Sequence, residues 1–221
     1  MTTSGTFAGI PAEAFDFYDG LAADNSKTYW TAQREVYDLC VRGPLLAMLA
    51  ELEPEFGPGV VFRPYRDVRF SKSKLPYKDH QGAFVERADA VGFYLQVAAE
   101  GLRVAGGWYD PAGPQVARYR EVVDGPAGAQ LERVVAGLVE GGFEIGGDVL
   151  KTRPRGVDPD HPRLELLRHR SLVASRSWQP EPWMSEPSAL QAVADAWRAM
   201  APLVDWLADG VGPGDHERHR R

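Results

Sequence analysis

The apolar residues of this 221-residue chain change their spacing near Val60. Before that point they recur every three to four positions, the period of amphipathic helices, as in Phe15, Tyr18 and Leu21. The segments 60–70, 91–97 and 102–108 instead place apolar residues at alternate positions, which is typical of strands half-buried in a sheet. The last two segments flank a short turn that ends in glycine, so they predict an antiparallel hairpin. Helical and strand patterns in separate blocks predict an α+β fold, with helices packed on a mainly antiparallel sheet.

Neither an internal repeat nor a long linker divides the sequence, so we predict one domain. Its expected boundaries are residues 11–209, with residues 1–10 as a flexible N-terminus and residues 210–221 as a disordered tail. The single cysteine, Cys40, allows no internal disulfide and no CxxC motif. The sequence shows neither a basic segment followed by an apolar run at its start nor an apolar stretch of about 18 residues. We therefore expect a cytoplasmic protein that does not associate with membranes.

Charge is distributed unevenly along the chain. The net charge is −6, from 25 basic and 31 acidic residues. Residues 63–80 nevertheless contain six Lys or Arg against two Asp, and residues 150–178 contain seven against three acidic residues. This segregation predicts an anion-binding face where the two basic stretches meet. The acidic remainder of the chain repels polyanions, so a nucleic-acid partner is disfavoured.

The first basic stretch contains several candidate functional residues. Arg66 falls on the apolar face of the predicted strand, so it needs a partner, either in a structural ion pair or in a ligand-lined cleft. Asp67 and Arg69 lie on the opposite face, where they could pair with each other or act in the same cleft. The loop over 71–80 combines backbone amides, Ser hydroxyls and ammonium groups, which phosphate sites use, although a solvated turn would look similar. The lysines of this loop are Lys72, Lys74 and Lys78.

Two Asp-His pairs, Asp79–His80 and Asp160–His161, are candidates for proton transfer. A histidine oriented by a carboxylate can act as a general base, and the same atoms could ligate a metal, but neither spacing is diagnostic. We take Asp67, His80 and His161 as the candidate catalytic residues. No motif assigns a metal site, a cofactor or an oligomeric state.

Two functions remain open from these residues. The first is binding or turnover of a small anionic ligand, for example a phosphorylated one, at a basic cleft. The second is a non-catalytic module that docks an acidic protein or RNA, with Tyr65 and Tyr77 stacking on bases. A concave pocket would favour the first function, and a flat basic face beside exposed aromatic rings would favour the second. We favour the first, with the candidate ligand-binding residues Arg66, Arg69, Lys72, Lys74, Tyr77, Lys78 and Arg155.

Several longer pieces of the sequence are similar to one known family. They are Phe17–Leu21, Asn25, Tyr29-Trp30, Tyr37, FRPYRDVRFSK at 62–72, PYKDHQG at 76–82, GFYL at 92–95, GGW at 106–108, GDVLK at 147–151, PRG at 154–156 and DHP at 160–162. On these pieces the chain resembles the uncharacterised family catalogued as domain of unknown function 2461, from about residue 14 to 208. Tyr29-Trp30 stands where Trp-Phe is expected. The resemblance implies one fold unit over this range and carries no activity.

Overall fold

The fold is described by a computed structural model over residues 6–66, 74–110 and 112–213. The helices are α1 Glu13–Ala23, α2 Lys27–Ala32, α3 Arg34–Val36, a π-helix Tyr37–Arg42, α4 Gly43–Phe56, α5 Gly113–Asp124, α6 Gly128–Glu140, α7 Leu164–Leu167, a 3₁₀ helix Pro182–Ser185 and α8 Ser188–Val211. The strands are β1 Gly59–Val61, β2 His80–Ala88, β3 Val91–Ala98, β4 Gly101–Trp108, β5 Glu144–Gly146 and β6 Leu172–Trp178. They form one antiparallel sheet in the order β1-β2-β3-β4-β6-β5. The predicted α+β fold class is confirmed.

The predicted hairpin is also confirmed, as β3 and β4. Gly101 opens β4 with φ of +115°, a conformation that residues with a side chain rarely adopt. A Cβ atom at this position would overlap the carbonyl oxygen of Trp178. The glycine is therefore required both by the backbone angle and by close packing.

The strand predicted over 60–70 is wrong for 62–66, because regular pairing ends at Val61 and Tyr65 forms only an isolated bridge. Residues 67–70 lie outside the described residues. The Phe62 amide still donates to Gly82, but further along the Lys78 amide donates to the Pro64 carbonyl. Pro64 has no amide hydrogen, so it cannot donate to a regular ladder at this point. The alternation in the sequence therefore marks an irregular segment beside β1. β2 was not predicted at all.

The sequence Gly43-Pro44 predicts a kink or a break in this helical region, and no break is found. The chain stays helical from α3 into α4, and Gly43 itself has φ of −58° and ψ of −56°. The Gly43 amide donates to the carbonyl of Asp38, five residues earlier. The missing amide hydrogen of Pro44 thus falls where the wider π-helical turn gives way to α4, which accommodates the proline without a break.

The described chain forms two compact units. The first comprises the residues up to Val85 together with Tyr94–Val104 and Ser177–Asp195. Its interior is rich in aromatic rings, all at most 5% exposed: Phe15, Phe17, Tyr18, Trp30, Tyr37 and Tyr77. Part of the segment predicted as a flexible N-terminus is packed here, since Phe7 and Ile10 are buried and the Ile10 amide donates to the Met184 carbonyl at 2.6 Å.

The second unit comprises Glu86–Phe93, Ala105–Arg176 and the described residues from Ala196 onward. Trp108 and Tyr119 are fully buried, with ring centroids 5.6 Å apart. The Tyr119 hydroxyl donates to the Leu166 carbonyl at 2.9 Å, which satisfies the buried polar group. α8 ends in the buried Val211, slightly beyond the predicted domain boundary.

Candidate anion-binding site

Asp79 joins two candidate residues of the first unit. Its Oδ2 accepts a hydrogen bond from Nη2 of Arg66 at 2.8 Å, and its Oδ1 lies 2.7 Å from Nδ1 of His80. Burial alone would raise the pKa of Asp79, but the hydrogen bonds and charges of His80 and Arg66 outweigh it and lower the pKa below its usual value. The sequence predicted that Arg66 needs an ionic partner, and the ionised carboxylate of Asp79 is that partner.

The backbone that carries Asp79 is held from one side by the segment around Tyr65. Tyr65 and Tyr77 form an isolated antiparallel bridge. The Arg66 amide donates to the Pro76 carbonyl at 2.9 Å, and the Lys78 amide donates to Pro64 at 2.8 Å. The two parts of the first basic stretch that the structure describes are therefore tied together by their main chains.

The side chain of Asn25 holds the same backbone from the other side. Its Oδ1 accepts from the Tyr77 amide at 3.1 Å, and its Nδ2 donates to the Tyr77 carbonyl at 3.2 Å. Asn25 thereby acts as a neighbouring strand would. The adjacent Ser26 caps α2 by accepting the Tyr29 amide at 3.2 Å. Asn and Ser both commonly cap helices, and here the two neighbours have separate roles.

Gln81 fixes the start of β2 from the interior. Its side chain is fully buried, and its Oε1 accepts from the Tyr37 hydroxyl at 2.6 Å. Its Nε2 donates to the carbonyls of Phe62 at 2.7 Å and Gly82 at 2.9 Å. These bonds lie where the pairing register changes between β1 and the Tyr65 bridge. Neither Gln81 nor Tyr37 was predicted as a site residue, although both stand in the pieces that carry the family resemblance.

Tyr77 differs from its predicted role in ligand binding. Its side chain is only 5% exposed and stacks on Trp30, with ring centroids 4.3 Å apart and an interplanar angle of 7°. The ring is thus occupied in the aromatic interior of the first unit, which leaves little of it for a ligand. Tyr65, at 45% exposure, packs at the edge of the same cluster.

Lys78 is a half-buried cation next to two further cations. Its Nζ lies 5.4 Å from the ring centroid of Phe62, and it makes no ion pair with any carboxylate of the described residues. Burial lowers the pKa of Lys78, and the charges of Arg63 and Arg66 lower it further. We call Arg63, Arg66, Lys78 and His80 the basic cluster. Arg63, Arg66 and Lys78 carry more positive charge than the one carboxylate of Asp79 can balance. That carboxylate contacts Arg66 and His80.

Of the remaining candidate residues of the first basic stretch, the structure describes only one. Lys74 is exposed. Asp67, Arg69 and Lys72 lie outside the described residues.

His161, in the second unit, does not pair with Asp160 as predicted. Its Nε2 lies 2.9 Å from Oδ1 of Asp124, and its Nδ1 accepts the amide of Arg163 at 3.0 Å. The Asp160 amide instead donates to the carboxylate of Asp158 at 2.9 Å, which turns this loop away from the predicted pairing. Both ring nitrogens of His161 are therefore engaged within the protein. Arg155 is exposed, and the convergence of the two basic stretches stays a prediction.

A groove of about 1070 Å³ is also present in the first unit. It runs between the N-terminal segment and the α3–α4 helices, and no member of the basic cluster lines it. The described residues contain no group of three His, Cys, Asp or Glu placed to hold a metal ion. No helix among them has the length and apolar character needed to cross a membrane.

The comparison with protein families agrees with the resemblance found in the sequence. The family model described as "Conserved hypothetical protein (DUF2461)" matches residues 13–206. This range includes Asn25, Tyr37, Gln81 and the whole basic cluster. No curated protein matches the chain.

Proposed function

The chain belongs to the DUF2461 family of conserved hypothetical proteins, and on that premise we propose that it binds a small anion, such as a phosphorylated metabolite, at the basic cluster. The family description names no activity, so the proposal depends on the chemistry of this chain's own residues. The single observation that carries it is the state of Lys78.

Holding Lys78 near Arg63 and Arg66 costs electrostatic free energy. An ammonium that is half-buried loses hydration, and two neighbouring guanidinium groups repel it; both effects lower the pKa of Lys78. The carboxylate of Asp79 is shared by Arg66 and His80, and Lys78 makes no ion pair within the described residues. A bound dianion would relieve the repulsion, which is a source of affinity that a solvated turn would lack.

The residue types also suit a phosphoryl group. Arg66 uses Nη2 for Asp79, and its Nε and Nη1 make no hydrogen bond within the described residues. A planar guanidinium can donate two parallel hydrogen bonds to phosphate oxygens, whereas an ammonium binds them as a point charge. Arg66 and Lys78 together could therefore supply both modes of contact.

The alternative function, docking of an acidic protein or RNA, has less support. Stacking on bases needs exposed aromatic faces beside the basic residues. Of the two aromatic residues considered for this, Tyr77 is buried against Trp30 and Tyr65 retains substantial exposure. One partly exposed ring is a small platform for a nucleic acid, and the net charge of −6 opposes a long polyanion.

Calorimetric titration with inorganic phosphate, together with thermal melting in phosphate, sulfate and chloride at one ionic strength, tests the proposal. A ligand that binds only the folded state stabilises it by RT ln(1 + [L]/Kd), about 2.7 kcal/mol at a hundredfold excess over Kd. Lys78→Met should weaken phosphate binding at least tenfold, because it removes the half-buried charge. Lys27→Met, at an exposed lysine of α2, is the matched control and should bind like the parent. Equal melting shifts in all three salts would contradict the proposal.

A further inference from the structure

We infer that the basic cluster is also a catalytic site, in which His80 donates a proton to the leaving oxygen of a bound phosphate monoester. The inference rests on the proposed anion binding and adds a reaction to it. The geometry that carries it is the chain of contacts from Arg66 through Asp79 to His80, which fixes one ring nitrogen and leaves the other open.

The orientation of the His80 ring follows from its partner. The carboxylate of Asp79 is held at Oδ2 by Arg66 and lies 2.7 Å from Nδ1 of His80 through Oδ1. An ionised carboxylate can only accept hydrogen bonds, so Nδ1 must carry the proton of this contact. Nε2 makes no hydrogen bond within the described residues, and the side chain is 32% exposed. Nε2 is thus the nitrogen that can exchange a proton with a ligand.

His161, also among the described residues, provides a contrast to His80. His161 also lies beside an aspartate, but its Nδ1 is taken by the Arg163 amide and its Nε2 by Asp124. Its side chain is 16% exposed, half the exposure of His80. The same pair of residue types therefore serves to hold a loop in one unit and leaves an available imidazole nitrogen in the other.

The reaction that fits these groups is hydrolysis of a phosphate monoester. Water adds to phosphorus, the bond from phosphorus to the ester oxygen breaks, and Nε2 of protonated His80 gives its proton to that oxygen, which leaves as an alcohol. The phosphate product retains the proton lost by the water, and His80 regains its proton from solvent. Arg66 and Lys78 would balance the charge on the non-bridging oxygens, and Asp79 would act as a positioning residue.

Two substrates that differ in their leaving group test the role of His80. Phenyl phosphate releases a strongly basic phenolate that benefits from protonation, whereas p-nitrophenyl phosphate releases a weakly basic one that does not require it. His80→Gln should lower kcat by about 100-fold on phenyl phosphate and by less than about tenfold on p-nitrophenyl phosphate. Calorimetry with inorganic phosphate on the same variant separates the contribution of His80 to binding from its contribution to the chemical step.

Asp79→Asn gives a readout that a purely structural role would not move. The amide oxygen can still accept from Nδ1, but the negative charge beside the ring is lost. If Asp79 acts through His80, the loss of kcat should therefore be larger on phenyl phosphate than on p-nitrophenyl phosphate, as it is for His80→Gln.

The outcomes separate the two proposals. Phosphate binding by the parent protein without turnover of either substrate would overturn the catalytic inference and leave the anion site intact. The catalytic inference is also overturned if His80→Gln slows both substrates equally, because His80 would then not act by protonating the leaving oxygen. If the parent protein does not bind phosphate, the proposed function fails and the inference fails with it.

Discussion

The hydroxyl of Tyr37 donates a 2.6 Å hydrogen bond to Oε1 of Gln81, joining two buried residues that are 44 positions apart in the chain. Tyr37 opens the π-helix, and Gln81 follows His80 at the start of β2. The contact therefore ties the helices of the first unit to the strand that begins with His80.

Tyr37→Phe should lower the free energy of unfolding by about 1–3 kcal/mol, because it leaves the buried Oε1 of Gln81 without a donor. Chemical denaturation measures the change. Tyr29→Phe is the matched control: the Tyr29 hydroxyl donates to the carbonyl of Phe17 at 2.9 Å, within α1, where the backbone offers that carbonyl a helical partner as well. A control loss as large as that of Tyr37→Phe would argue against a special role for the Gln81 contact.

Asn25→Ala should loosen the backbone around Tyr77, because it removes both side-chain hydrogen bonds to that residue. We expect a loss of about 1–2 kcal/mol in unfolding free energy and faster hydrogen exchange at the Tyr77 amide. Ser26→Ala removes the cap of α2 at a comparable cost, about 1 kcal/mol, and should leave the Tyr77 amide as protected as before. Unchanged exchange at Tyr77 in Asn25→Ala would refute the proposed clamp.

The ionised Asp79 should make stability depend on acid pH. Its pKa is lowered in the folded protein relative to the unfolded chain, where it is about 3.9. The stabilisation is therefore fully present above the unfolded pKa and is lost as the pH falls through the folded value. Urea unfolding of the parent protein and Asp79→Asn should differ at pH 7, and the difference should shrink below about pH 4. A difference that is constant from pH 7 to pH 3 would count against this assignment.

His80 and His161 should be opposite tautomers when their rings are neutral. His80 should carry its hydrogen on Nδ1, facing Asp79, and His161 should carry it on Nε2, because its Nδ1 accepts the Arg163 amide. Long-range ¹H–¹⁵N correlation spectra distinguish the two forms directly. Finding the same tautomer at both positions would contradict one of the two hydrogen-bonding arrangements.

Arg66→Lys should destabilise the fold modestly, by about 0.5–1 kcal/mol, because an ammonium cannot reproduce the directed hydrogen bond to Asp79. Asp79 is largely exposed, so the effect stays within the range of surface ion pairs. Arg87→Lys is the matched control, since Arg87 pairs with Asp205 where both side chains are more than half exposed. We expect the control to change the unfolding free energy by less than about 0.5 kcal/mol, as thermal or urea unfolding will show.

Features that depend on local spacing could be predicted from the sequence. The alternation over Val91–Ala98 and Gly101–Trp108 reflects which side chains face the interior, and it correctly predicted the hairpin. The concentration of basic residues in 63–80 made Arg66 and Lys78 candidates, and the Asp79–His80 pair made His80 one; their functional roles stay predictions. The same reasoning missed β2. The loop predicted over 71–80 ends at His80, which is the first residue of that strand. The reasoning also allowed a break at Gly43-Pro44, where a π-helical turn instead absorbs the proline.

Local pattern alone determined the α+β class, the hairpin and the region in which basic residues accumulate, because periodicity and composition are properties of neighbouring residues. Only the tertiary structure decided which groups meet. Asp79 binds Arg66, which is 13 positions away in the chain, and Asn25 binds the backbone of Tyr77, which is 52 positions away. His161 takes Asp124 and not its neighbour Asp160. These hydrogen-bond partners depend on how segments distant in the sequence pack together, and the spacing of residues along the chain does not predict that packing.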